Sequence, residues 1–258
     1  MYEPRTYRHW VKGKGLISFN VVVKETDLYI RASRNLKRKA LKLVLKYRDT
    51  LERYIGQHPT FLTSLEPLPV DENAPRIVKA MAEAAVRVGI GPMASVAGAI
   101  AEFVGNELLA FSPEIIVENG GDIYLKSWRE RIVGIYAGKS PLTGKIGLEI
   151  NGEDTPLGIC TSSGTVGHSL SYGKADAVIV LSKSATLADA AATAIGNIIK
   201  QPSDIPSGIE FAKGIEGLRG LLIIEDDNIG LWGEVKICQI FAKGEGDEHY
   251  RKVLHSAH

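Results

Sequence analysis

Cysteine is nearly absent: the 258 residues include only Cys160 and Cys238. They stand far apart, with no CxxC pair and no zinc-ligand spacing, which argues against a disulfide scaffold or a structural zinc. Long apolar runs are missing as well. No stretch approaches the roughly 18 uninterrupted apolar residues of a membrane helix, so no membrane is expected as a partner. The opening MYEPRTYRHWVKGKG is charged and aromatic and has no apolar h-region, so no secretion signal is read and a cytoplasmic protein is expected. No period of about 20–50 residues repeats, which excludes a solenoid. Net charge is only +1, but it is unevenly spread. From Arg5 to Arg48 there are 13 Lys/Arg against Glu25 and Asp27, a local balance of +11 that leaves the remainder near −10. Such a quarter could meet phosphates. Its lysines recur on the outer face of an amphipathic helix with no aromatic platform, so a solvated face and no specific nucleic acid are expected.

What is present reads as blocks of strands and helices, the pattern of an α+β fold. LISFNVVVKETDLYIR, residues 16–31, predicts two strands around a polar turn. Ser33 is expected to cap a helix to about Ile55, with Leu36, Ala40, Leu43, Tyr47, Leu51 and Tyr54 on its apolar stripe. A proline-rich loop follows, then a helix from Pro75 to near Gly89. After the Gly91-Pro92 break a third helix is expected to about Ala110, with the small residues Ala94, Gly98, Ala101 and Gly105 in one stripe. Such a stripe lets either another helix or a ligand come close. EIIVENGGDIYL, RIVGIYAG, KIGLEI, PLGICTS and ADAVIVLS read as strands, GLLIIEDDNIGLWG as a hairpin and EVKICQIFA as a last strand.

Three stretches could carry chemistry. In VENGGDIY, Asn119-Gly120 is a hairpin signal. The further glycine and Asp122 exceed what a hairpin needs, and Gly120 and Gly121 would let backbone N–H groups approach a flat ring or a phosphate. In CTSSGTVGHSLSYGKAD, the hydroxyls of Thr161, Ser162 and Ser163, with His168 and Lys174, are groups that hold phosphate oxygens or move a proton. A plain loop explains the same composition. In SATLADAAATAIGN, Asp189 and Thr193 lie four apart and share a helical face. One explanation is a capping box from Thr186 to Asp189, with the Thr193 hydroxyl returned to a backbone carbonyl. The other is a pair of oxygen ligands for a hard metal such as Mg²⁺.

The order of these stretches, GAIA, then NGGD, TSSG and ADAAATA, resembles the ApbE-like superfamily, the FAD:protein FMN transferases, over roughly residues 90–200. The resemblance implies a single α+β domain over 1–258, built of two entwined subdomains with mostly antiparallel sheets. It implies Mg²⁺ held by Asp189, Thr193 and a carbonyl near Ala99 to Ala101. It places Gly120, Gly121, Asp122, Thr161, Ser162 and Ser163 around FAD, as substrate or ligand. It also implies a flavin or nucleotide as small-molecule partner and an acceptor protein for the FMN group, and it leaves room for a homo-oligomer. Two departures stand out. Glu102 occupies the lysine position of the family's GAIAKG helix, beside the expected phosphates. The family's HxxDPxTG segment has no counterpart, which leaves His168 as the candidate base. The expectation is therefore FMN transfer or FAD pyrophosphate cleavage, with a non-catalytic flavin- or nucleotide-binding protein of the same fold as the alternative.

Overall fold

The structure, a computed structural model, describes residues 15–164 and 173–240. β1 (Ile17–Val23) and β2 (Thr26–Ala32) form the expected hairpin. The helix predicted to start at Ser33 begins at Lys37 instead. Ser33 is drawn elsewhere: its N–H and hydroxyl meet the Ser112 hydroxyl at 2.9 and 3.0 Å. Asn35 Oδ1 accepts the Lys37 N–H at 3.0 Å, and α1 runs Lys37–Gln57. It buries Ala40, Val44, Leu51 and Tyr54 and turns Lys37, Arg38, Lys42 and Lys46 outward. The proline-rich stretch is loop except for one turn, α2 (Thr60–Thr63), which seats Phe61 in the core. α3 (Arg76–Val88) starts after Pro75 and closes at Gly89, whose φ of 73° is the left-handed conformation glycine tolerates. A 3₁₀ turn over Pro92–Ser95 leads into α4 (Val96–Leu108).

The strands then come in sequence: β3 (Ile115–Asn119), β4 (Asp122–Lys126), β5 (Arg131–Gly134), β6 (Ile146–Ile150), β7 (Leu157–Ser162) and β8 (Ala177–Ser182). After them come α5 (Ala185–Ile198), α6 (Ile205–Lys213), β9 (Leu218–Glu225), β10 (Asn228–Gly233) and β11 (Ile237–Gln239). The main sheet has eight strands in the order β1-β2-β3-β4-β7-β8-β9-β10, and a second sheet has three, β11-β6-β5. All these pairings are antiparallel.

Alternation along the strands divides the core between the two faces of the main sheet. Tyr124, Cys160, Val178, Val180 and Ile223 pack with the helices, whereas Leu125, Ile159, Ile179, Leu181 and Leu222 pack with the second sheet. Because both faces are covered, AVIVL of β8, Ala177 to Leu181, is an unbroken apolar run. Each such side chain contributes about 1.5–3 kcal/mol on burial. The architecture is α+β with antiparallel sheets. Among the described residues no single helix is long and apolar enough to cross a membrane.

Candidate functional site

α4 and α5 pack against each other with Gly98 beside Asp189 and Glu102 beside Thr186, an antiparallel register in which each helix holds the other's N-terminus. Asp189 Oδ2 accepts the Gly98 N–H at 2.8 Å, and the Ala97 N–H also bonds this carboxylate. In return Glu102 Oε2 accepts the N–H and the hydroxyl of Thr186 and the hydroxyl of Ser184, each at 2.9 Å. A helix N-terminus leaves its first N–H groups unsatisfied and carries partial positive charge, so both carboxylates are well placed. The capping box expected from Thr186 to Asp189 does not form. Ser184 caps α5 by accepting the Leu187 N–H at 3.2 Å, and Asp189 serves α4 instead. Glu102, which stands at the family's lysine position, is likewise bound to the start of α5.

The small-residue stripe permits this approach. A Cβ on Gly98 would lie 2.4 Å from the Ala185 carbonyl oxygen and 2.7 Å from Asp189 Cβ. A Cβ on Gly105 would lie 2.4 Å from the Tyr124 ring. At these two positions the stripe serves packing.

The β3–β4 hairpin turns at Gly120 and Gly121, at φ 69° and 111°, where a side chain would be strained. It reaches both neighbours. Asn119 Nδ2 donates to the Ala97 carbonyl at 3.0 Å, and Asp122 Oδ1 accepts the Thr161 N–H at 3.2 Å. The Gly121 N–H donates to Glu118 Oε1 at 3.0 Å. The four sequence stretches thus meet at one end of the main sheet. Thr161 and Ser162 end β7, Ser162 buried and Thr161 half-buried, and half-buried Ser163 follows. Thr193 is half-buried one turn beyond Asp189. Ala99 is fully buried inside α4. His168 lies outside the described residues. Sequence reasoning gave no site role to Glu118, Asn119 or Cys160. Asn119 carried only a hairpin signal, and Glu118 and Cys160 only their closeness to Gly120 and Thr161.

Charge is the chemical peculiarity of this site. Burial pushes the Asp122 carboxyl up to about 7. The Thr161 N–H and the Cys160 thiol oppose the shift, and Glu118 adds to it. Burial raises Asp189 well above the usual carboxylate range too, and the Asp122 charge adds to this against the Gly98 and Ala97 N–H groups. No cationic side chain among the described residues lowers either group. The Cys160 thiol is driven up by burial and by both aspartates, and its Sγ donates to the Ala185 carbonyl at 3.2 Å, so it stays protonated and unreactive. Among the described residues no three His, Cys, Asp or Glu side chains gather as a metal-ligand set. The donors that suit a hard cation here are mixed oxygens, the Asp189 carboxyl and the Thr193 hydroxyl, beside the buried Asp122 carboxyl, and no cationic side chain among the described residues offsets either acid.

A family model described as AbpE bacteria matches residues 8–208. The chain is 43% identical over 221 residues to the UPF0280 protein MJ1526 of Methanocaldococcus jannaschii, spanning 83% of this chain and 90% of that one. It is 43% identical over 225 residues to the UPF0280 protein MK0206 of Methanopyrus kandleri, spanning 84% and 91%. Among solved structures, the apbe protein from Thermotoga maritima superposes with a TM-score of 0.58 at 15% identity, covering 85% of this chain and 97% of that one. The apo form of the Pseudomonas stutzeri flavinyl transferase ApbE gives 0.55 at 12% identity, covering 84% and 94%. At these identities the likeness to the solved structures is one of fold.

Proposed function

Because the chain belongs to the AbpE bacteria family, we propose that its flavin-transferase-like fold serves Mg²⁺-dependent chemistry on FAD or a related dinucleotide. The reaction would be FMN transfer to an acceptor protein, or pyrophosphate cleavage by water, with AMP released in either case. The observation that supports this reading best is the pair of buried carboxylates, Asp122 and Asp189, without a counter-cation, beside a glycine turn and a hydroxyl-rich strand end.

Asp189 and Thr193, with a carbonyl near Ala99, would hold the metal, which when bound supplies positive charge against the pyrophosphate. The chain's own groups bind and orient. Gly120 and Gly121 leave the backbone open to the ring or phosphate, and Asp122, fixed by the Thr161 N–H, is placed to accept from a ligand donor. The hydroxyls of Ser162 and Ser163 donate to phosphate oxygens. His168 is the candidate base.

A second reading keeps the pocket without the transfer. It is favoured by Glu102, which stands at the family's lysine position and is bound to α5, so no cation reaches the phosphates from there. Absorption spectra and mass spectrometry of the purified, denatured protein would identify a carried flavin or nucleotide. Calorimetry of FAD with Mg²⁺ and with EDTA, for wild type and Asp189→Asn, tests the metal. FMN transfer or AMP release above background separates the enzyme from the binder. Equal FAD affinity in all four combinations would rule out the metal-bridged site.

A further inference from the structure

The sheet end that carries Asp122 and Thr161 continues across β8 to β9, where a second group of carboxylates meets. Asp176 immediately precedes β8 and Glu225 ends β9. The β8–β9 ladder pairs Ala177 with Ile224, so Asp176 and Glu225 stand side by side one step beyond it. Strand alternation turns both to the helix-covered face, with Val178 and Ile223. Asp204, in the turn before α6, is near enough for its charge to act on Glu225. The charges of Asp226, Asp176 and Asp204 all act on Glu225, with exposed Lys174 opposing them.

Two of these acids have donors. Asp176 Oδ2 accepts the Asp226 N–H at 2.8 Å, and Asp204 Oδ2 accepts the N–H groups of Lys200 and Gln201 at 2.9 and 3.1 Å. Glu225 is different. It is 8% exposed, and its buried Oε2 has no hydrogen-bond partner. Like charges directly opposite on neighbouring strands repel, and a buried carboxylate oxygen without a donor is costly. A positive group between Glu225 and Asp176 would offset that repulsion.

We propose that Glu225 and Asp176 hold a hard divalent cation, with Asp204 behind them and water filling most of the coordination shell. Two carboxylates plus water is a shell that Mg²⁺ accepts, and Ca²⁺ takes similar oxygens in greater number. The order β4-β7-β8-β9 puts three strand spacings between Asp122 and Glu225, roughly 14 Å at about 4.8 Å each. Glu225 is therefore too far from Asp122 to share one ion with it, and the proposal does not depend on the flavin reading.

The test is thermal unfolding of the full chain, stripped with EDTA and then given millimolar Mg²⁺ or Ca²⁺, together with Mn²⁺ titration followed by electron paramagnetic resonance. Asp189→Asn isolates the new site. In that background the cation should still raise the unfolding midpoint, and one Mn²⁺ should bind. Adding Glu225→Gln or Asp176→Asn should remove both effects. Without metal, Glu225→Gln should unfold no lower than its parent, because it relieves repulsion. A cation response that survives Glu225→Gln would overturn the proposal. So would no response in Asp189→Asn, which would leave the buried oxygen to a water or a proton. A metal-free midpoint for Glu225→Gln well below its parent would also overturn it, since the carboxylate would then be supporting the fold by itself.

Discussion

Glu102 has a role that its place in the motif does not reveal. Beside a phosphate it would be a liability, but against α5 it satisfies three donors at the positive end of a helix. Restoring the family's residue should therefore harm the protein. Glu102→Lys strands those donors and puts a cation where the helix dipole disfavours one. Hydrogen bonds to a charged group are worth about 1.5–3 kcal/mol and a lost cap about 1 kcal/mol. A loss of roughly 2–4 kcal/mol is expected, or about 5–15 °C in Tm for a chain of this size. A Glu102→Lys protein melting with the wild type would disprove the capping role. Glu114 carries a different prediction. Its Oε1 accepts the Trp128 N–H at 2.8 Å and the Ser127 hydroxyl at 3.0 Å, and its Oε2 lies 3.1 Å from buried Arg131. Burial alone would raise its pKa, but the Trp128 N–H, the Ser127 hydroxyl and the nearby arginines outweigh it and hold the carboxyl below its ordinary 4.5. A depressed folded pKa means stability that is present above 4.5 and lost as pH falls below it through the folded value. Glu114→Gln should flatten that acid limb in urea midpoints taken against pH. At neutral pH it should cost on the order of 3 kcal/mol, because it removes the carboxylate from a buried arginine.

At the scale of elements, strands were the most legible part, because short β-branched apolar runs such as EIIV and AVIVL are bounded by Gly, Pro, Asn or Asp signals. α6 escaped notice because Pro202, Pro206, Gly208 and Gly214 read as loop punctuation. Pro206 in fact sits in the first turn, where its missing N–H costs nothing, and Gly208 clears room for Ile199 and Ile223. The start of α1 was misplaced because Ser33 has a distant partner in Ser112. The same limit applies to the site. Each stretch read alone as a cap, a turn or a loop, and the bonds that join them span 91, 39 and 22 residues. Spacing along the chain does not encode such contacts; only the order of the motifs hinted at them. The α4–α5 approach that makes the site is testable at Gly98. Gly98→Ala pushes a methyl onto the Ala185 carbonyl and Asp189, neither of which has slack. It should cost on the order of 1–3 kcal/mol, and it should weaken flavin binding because Asp189 moves. Gly56→Ala is the control. It meets nothing within 4 Å near the end of α1, and it should leave stability unchanged or raise it by up to about 1 kcal/mol. If both variants behave alike in thermal scans and FAD titrations, close helix approach is not what positions Asp189.

For the whole molecule, the site joins the helical layer to the end of the main sheet, so occupancy should be felt in global unfolding. A ligand that binds only the folded state stabilises by RT ln(1 + [L]/Kd), about 2.7 kcal/mol at a hundredfold excess over Kd. For a chain of this length that is a rise of roughly 5–11 °C in Tm. The sign of the metal effect follows from charge. A pyrophosphate brings two negative charges toward Asp122 and Asp189; burial already disfavours the charged form of both carboxyls, and wherever one ionises, like charges about 4 Å apart repel by on the order of 4 kcal/mol at an effective dielectric near 20. FAD in EDTA should therefore leave Tm almost unchanged, and FAD with Mg²⁺ should raise it by the full amount. Asp189→Asn should lose the FAD-dependent rise, and Thr193→Val should lose part of it. Glu102→Gln should keep it even with a lower starting Tm, because Glu102 faces α5 and not the ligand. The measurement is a set of melting curves for the wild type and these three variants, with FAD, with Mg²⁺, with both and with EDTA. An equal FAD shift in the presence and absence of the metal would mean that the dinucleotide binds without the cation. The two buried aspartates would then have to carry their protons through neutral pH rather than share a metal.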